Sequence, residues 1–167
     1  LDKFPSSYII PEGGNNAFGR KGCSEILVNP CFDVYPTICC PVGSGTTLAG
    51  LQSSLRPHQQ LLGFSALKNA IRLEEEIRAQ LTNDIDVEKN ANWKLIHDYP
   101  FGGFGKTTSA LFQFMEEFKT KTNIALDKVY TAKMMFGIAD LLSKNTFARG
   151  AKILVIHTGG LQGNLLG

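Results

Sequence analysis

Apolar runs of strand length alternate with helix-patterned segments along almost the whole chain, and that alternation restricts the fold more than any other feature of the sequence. The strand-like runs are residues 7–10, 37–42, 61–66, 93–97 and 152–157, the first of them stopped by Pro11-Glu12-Gly13-Gly14. Between them lie three amphipathic patterns. Residues 69–81 set Ile71, Ile77 and Leu81 against a charged face of Arg72, Glu74, Glu75, Glu76 and Arg78, which reads as solvated. Residues 106–118 place Leu111, Phe114, Met115 and Phe118 on one stripe, and residues 130–142 do the same with Met134, Ile138 and Leu141. These Phe and Met stripes are expected in the core. Unbroken apolar strands separated by helices imply an α/β fold, with an open, mostly parallel sheet covered by helices on both faces through right-handed crossovers. The 167 residues are expected to form a single domain, 1–167.

Charge and length exclude several function classes. A formal net charge of +2, with bases scattered among acids, leaves no basic footprint for nucleic acid or a membrane surface. No apolar run approaches the roughly 20 residues that span a bilayer, and the N-terminus shows no basic-then-apolar leader, so a cytoplasmic chain is expected. The chain begins at Leu1 and not at an initiator Met, and is expected to be part of a longer protein. Cys23, Cys31, Cys39 and Cys40 form no C-x-x-C pair and no metal-ligand spacing with His58, His97 or His157, so no metal is expected. Cys39 and Cys40 are expected in the core as reduced thiols facing opposite sides of a strand.

In an open α/β sheet, ligands bind at the carboxyl ends of the strands, which directs the chemical reading to glycine turns that follow strands. Three such turns occur, at 43–47, 102–105 and 158–160. The first, Gly43-Ser44-Gly45-Thr46-Thr47, is the best candidate anion site. Its small residues let backbone N–H groups converge, its three hydroxyls add donors, and it opens a helix over 47–51. It lacks the Gly-Lys-Ser/Thr of a nucleotide P-loop and is no G-x-G-x-x-G dinucleotide turn. A turn like this also serves as plain strand-to-helix punctuation.

Four segments, "YIIPEGGNNAFGRKG" (8–22), "CPVGSGTTLAGL" (40–51), "LDKVYTAKMMFGIADLL" (126–142) and "ILVIHTGGLQG" (153–163), resemble in order and spacing the 1-aminocyclopropane-1-carboxylate (ACC) deaminase and D-cysteine desulfhydrase family. The resemblance spans nearly the whole chain and covers the C-terminal half of the family's usual length. It implies the tryptophan-synthase-β fold (type II) and pyridoxal 5'-phosphate (PLP) as cofactor, with a small amino acid as substrate. A homodimer is expected when the enzyme is complete. The family's Schiff-base lysine, the asparagine beside it and its Ser-Asn-His turn are expected upstream of Leu1, so the chain alone is expected to be inactive.

The resemblance also assigns roles. Gly43, Ser44, Gly45, Thr46 and Thr47 look like the cup for the cofactor phosphate; the family more often has Gly where Thr46 stands, which keeps the amide donor. Tyr130 resembles the active-site tyrosine that takes part in proton removal or ring attack. Thr158 resembles a hydroxyl near the pyridine nitrogen that leaves the nitrogen largely unprotonated. Phe104 stands where the family usually carries a second tyrosine. Ring-opening members have Glu directly after the tyrosine and Leu before the final Gly-Gly, where this chain has Thr131 and Thr158. Both point to D-cysteine desulfhydrase, a lyase that yields pyruvate, ammonia and sulfide by β-elimination. The alternatives are an ACC deaminase yielding 2-oxobutanoate and ammonia, and a non-catalytic phosphate-binding fragment. Lys106 and Lys133 match no family lysine and are expected on the solvated surface. His157 is expected to be a packed, hydrogen-bonded side chain.

Overall fold

The computed structural model describes residues 7–68, 70–82 and 92–165. Four strands, β1 (Thr37–Val42), β2 (Gln60–Ser65), β3 (Trp93–Ile96) and β4 (Ile153–Val155), form one parallel sheet in the order β3-β2-β1-β4. Thr37 is in register with Gln60 on one side and Ile153 on the other, so β1 is paired along both edges. Among the described residues five α-helices accompany the sheet: α1 (Ala17–Ser24), α2 (Thr46–Gln52), α3 (Ile71–Thr82), α4 (Ser109–Thr122) and α5 (Thr131–Ser143).

Alternation along β1 builds the two faces. Ile38, Cys40 and Val42 pack with Leu48 and Leu51 of α2 and Leu73 and Ile77 of α3. Cys39 turns the other way and packs with Leu62, Phe64, Ile96, and Met134 and Ile138 of α5. The two cysteines thus face opposite cores, and burial pushes the Cys39 thiol up to about 12 and Cys40 higher still. All four cysteines are free. A third cluster joins α4 to α5 through Leu111, Met115, Leu126 and Ala132. On the solvent side of α3, Arg78 pairs with Glu74 at 2.7 Å, an exposed contact of the kind worth about 0.3–0.5 kcal/mol.

Two elements depart from the sequence pattern. Residues 7–10 form no strand: Tyr8, Ile9 and Ile10 are exposed, and both edges of β1 are already taken by β2 and β4. The run therefore cannot pair with the central strand β1, and its apolar side chains stay outside the core. Conversely, α1 forms over a segment containing Gly19 and Gly22, residues that disfavour helix. Its N-terminus is capped by Asn16, whose side chain accepts from Gly19 N at 2.8 Å. Its packing is the stronger cause. A methyl at Gly50 of α2 would lie 2.4 Å from Cys23 Cβ, so the two helices meet closely where that glycine has no side chain.

No helix among the described residues is long and apolar enough to cross a membrane.

Candidate functional site

The chain runs outward from β1 through β2 to β3 and then returns to place β4 on the far side of β1. This reversal of strand order makes a crevice at the carboxyl ends of β1 and β4. The turn 43–47 leaves β1 at that crevice, and the loop 158–160 follows β4 beside it.

Gly45 holds the N-cap of α2 at φ 85°, a left-handed conformation that L side chains rarely adopt. It brings no side-chain acceptor to the first helical amides, which therefore remain available to an external anion. Behind it, a methyl would strike Ile77 Cγ1 at 2.4 Å. Gly43 is needed for another reason: Tyr130 approaches so closely that a methyl there would lie 2.9 Å from its Cε1. Ser44 Oγ and Thr46 Oγ1 are 3.0 Å apart, and Gln80 Nε2 donates to Ser44 O at 3.2 Å. The turn is thus braced from α3 while its open side faces the crevice.

Tyr130 stands immediately before α5. The Asp127 carboxylate fixes that helix start: Oδ1 accepts from Val129 N and Tyr130 N at 2.9 and 2.8 Å, and Oδ2 accepts from Thr131 N and Thr131 Oγ1 at 2.8 and 2.7 Å. Burial, then the Asp127 and Glu12 charges, raise the Tyr130 phenol above its ordinary value. Its ring meets Phe104 edge-on, with centroids 5.8 Å apart. Gly43, Ser44, Phe104 and Tyr130 line a cleft of about 480 Å³ together with Lys68 and Arg72. Thr47 and Thr158 line its continuation with Gly43, Ser44 and Tyr130.

Of the residues singled out in the sequence, Gly43, Ser44, Thr47, Phe104, Tyr130 and Thr158 therefore share one cleft. Gly45 and Thr46 are buried behind its lining. Thr131 is 0% exposed and does not reach it, because its hydroxyl is spent on Asp127. His157 is hydrogen-bonded yet exposed: Gly159 N donates to Nδ1 at 3.1 Å, which leaves Nε2 to donate to Ala125 O at 2.9 Å. Lys106 is exposed as expected. Lys133 corrects the reading made from sequence, since it is 1% exposed and bonded to backbone carbonyls.

Sequence reasoning missed Glu12, Lys68, Arg72 and Asp127. A readable signal existed for Asp127, an acid just ahead of an apolar helical stripe. For Glu12, the only hint was its place in the glycine-rich 8–22 segment; Gly13 lies directly against Ser44. Among the described residues no group of His, Cys, Asp and Glu is arranged to hold a metal ion. The turn fits a phosphate monoester: free first-turn amides, adjacent hydroxyls and glycine at both points where a Cβ would intrude.

No protein-family model matches the chain. Individual relatives do. A Pyrococcus furiosus protein named provisionally as an ACC deaminase is 35% identical over 175 residues, covering 97% of this chain and 52% of that protein. A D-cysteine desulfhydrase of Salmonella typhi is 32% identical over 168 residues, covering 92% of this chain and 50% of its own length. A crystal structure of an ACC deaminase homologue superposes with a TM-score of 0.84 at 30% identity, over 94% of this chain and 50% of the other. This chain therefore spans about half the length of the curated relatives it matches. The Pyrococcus furiosus relative and the superposed structure are named for ACC deaminase and the Salmonella typhi relative for D-cysteine desulfhydrase, and the chain belongs to the family that these two names share.

Proposed function

We propose that this chain carries the phosphate cup and the proton-handling tyrosine of a PLP-dependent lyase that acts on D-cysteine, releasing sulfide, pyruvate and ammonia. One observation carries the reading: the glycine turn, Tyr130, Phe104 and Thr158 surround one cleft at the point where the strand order reverses. Bound PLP supplies the electron sink that makes a substrate Cα–H acidic. The amides of the 44–47 turn hold its phosphate, and the Ser44 and Thr47 hydroxyls lie on the same cleft to add donors. A phenol is protonated at neutral pH, and burial with two nearby carboxylates disfavours its phenolate further, so the resting role of Tyr130 is that of a donor.

The preference for D-cysteine rests on Thr158 and Phe104. A neutral hydroxyl near the pyridine nitrogen, where the family resemblance puts Thr158, brings no negative charge to keep that nitrogen protonated. Such a residue would suit expulsion of a thiolate, which asks for only a moderate sink. Phe104 offers an apolar wall where a second phenol would serve ring chemistry. Thr131 gives this preference no direct support, since its side chain is turned away from the cleft.

A second reading is a ring-opening deaminase acting on ACC, favoured by the name of the Pyrococcus furiosus relative. Competing D-cysteine with ACC on the complete, PLP-loaded enzyme decides between them, with sulfide and 2-oxobutanoate followed together to give the ratio of kcat/KM values. An excess of sulfide supports the lyase, and an excess of 2-oxobutanoate supports the deaminase. Visible absorbance of bound PLP, absent from both this chain and the complete protein, would leave only a phosphate-binding role.

A further inference from the structure

Lys133 lies one helical turn beyond Tyr130 on α5, with its ammonium enclosed by backbone carbonyls. Nζ donates to Gly103 O at 2.7 Å and Pro100 O at 2.9 Å, and stands 3.5 Å from Ala66 O. A lysine ammonium has three donors and no acceptor, so three converging carbonyls match the charged form and offer nothing to a lone pair. Desolvation pulls its pKa below the ordinary lysine value while Asp127 opposes that shift. A buried cation persists only where such partners offset the loss of water.

Those carbonyls belong to two separate strand exits. Ala66 follows β2, and its amide donates to Val42 O at 3.0 Å, one residue before Gly43. Pro100 and Gly103 belong to the turn after β3, where Phe101, Gly102 and Gly103 have φ of 49°, 93° and 115°. Within that turn Gly103 N donates to Pro100 O and Lys106 N to Gly103 O. Phe101 gains nothing from a left-handed backbone by itself, which favours glycine, so the turn needs outside contacts to keep its shape. Phe104 follows directly and meets the Tyr130 ring.

We propose that Lys133 is a positioning residue: by drawing the carbonyls of Pro100, Gly103 and Ala66 onto α5, its ammonium fixes Phe104 against Tyr130 and sets the substrate side of the cleft. The inference rests on the reading of this cleft as the family's active site. Lys133 touches neither substrate nor cofactor in this role. It acts through the turn that carries Phe104, and α5 serves as the common frame for both aromatic rings.

The test uses the complete enzyme with Lys133→Met, which keeps the stem and removes the donors. The amides of Gly103 and Lys106 are expected to lose exchange protection by tenfold or more, as for a turn released into local opening. A comparable fall in kcat/KM on D-cysteine is expected, with no further fall when Lys133→Met is added to Phe104→Ala. Unchanged protection, or losses that multiply in the double variant, overturns the proposal. A second variant, Lys133→Ala, leaves the carbonyls facing vacated space. Recovery of folding and activity in ammonium chloride but not choline chloride supports the clamp, whereas the same result in both salts overturns it. Failure of the functional reading has a separate signature, the absence of bound-PLP absorbance in the unaltered protein, and the exchange data still decide the role of Lys133.

Discussion

The Tyr130 ring rests against the bare Cα of Gly43, where a methyl would lie 2.9 Å from Cε1 and 3.0 Å from the phenol oxygen. Two distant stretches of chain, the exit from β1 and the start of α5, are thereby in mutual contact at the floor of the cleft. The contact matters because it couples the position of the turn 43–47, the proposed phosphate cup, to that of the phenol.

Gly43→Ala is expected to displace the Tyr130 ring, since the Gly43 backbone is part of the strand exit and cannot give way without moving α2. A displacement near 1 Å at a reacting group costs on the order of 10²-fold in rate. The complete enzyme should keep its fold and its PLP absorbance while kcat falls by about that factor. A kcat within twofold of the unaltered enzyme would mean that the ring has room to move without consequence.

Tyr130 should titrate above the ordinary phenol value of about 10, with burial as the main cause and Asp127 and Glu12 adding to it. Glu12→Gln removes one of those charges and should lower the midpoint of phenolate absorbance, identified by its loss in Tyr130→Phe. The sign for stability follows. The unfolded phenol ionises first, so the folded state binds more protons between the unfolded and the raised folded pKa, and stability falls as pH rises through that window. Glu12→Gln should narrow the window. A midpoint that stays put would show that Glu12 does not act on the phenol. In the same enzyme, Tyr130→Phe should lower kcat by roughly 10²-fold with PLP retained, the usual contribution of a general acid or base.

Much of this architecture is legible in the sequence because periodicity reports burial. The runs at 37–42, 61–66 and 93–97 match β1, β2 and β3 to within a residue or so at each end, and 152–157 contains the shorter β4. Of the two apolar stripes, Leu111, Met115, Met134 and Ile138 are buried core, while Phe114, Phe118 and Leu141 are half-buried against it. What periodicity does not carry is the direction of a backbone carbonyl. Lys133 reads as a surface lysine because its partners at Ala66, Pro100 and Gly103 are anonymous backbone groups far along the chain. Helix α1 was illegible for a related reason: the close packing that supports it is made at Gly50 of α2, far along the chain, whereas its own Gly19 and Gly22 count against helix locally.

Thr131 serves the helix start, and its removal should be felt as lost stability. Its hydroxyl donates to Asp127 Oδ2 at 2.7 Å and accepts from Asp127 N at 2.8 Å in a fully buried position. Thr131→Val keeps the shape and leaves Asp127 N without its acceptor, while Oδ2 keeps only the Thr131 amide; a buried unsatisfied group costs about 1–3 kcal/mol. Thermal or denaturant unfolding measures it. A loss below about 0.5 kcal/mol, the range of an ordinary surface substitution, would deny Thr131 this role.

Substrate choice should follow Thr158 and not Thr131, the two positions from which the family resemblance implies a substrate preference. Thr158 lines the cleft with Gly43 and Tyr130, whereas Thr131 is sealed beneath it. Thr158→Leu removes a hydroxyl from the cleft and adds bulk there, so the ratio of kcat/KM for D-cysteine to that for ACC should fall by tenfold or more, a difference of about 1.4 kcal/mol between the two transition states. Thr131→Ser retains the hydroxyl on Asp127 and should leave that ratio unchanged. Thr131→Glu is a different case: it puts a second carboxylate beside Asp127 in a space already filled, and an unpaired buried charge next to a like charge is strongly destabilising. It should therefore appear as an unstable protein with little bound PLP. A stable Thr131→Glu enzyme with altered product ratio would show that the start of α5 can reopen and present residue 131 to the substrate.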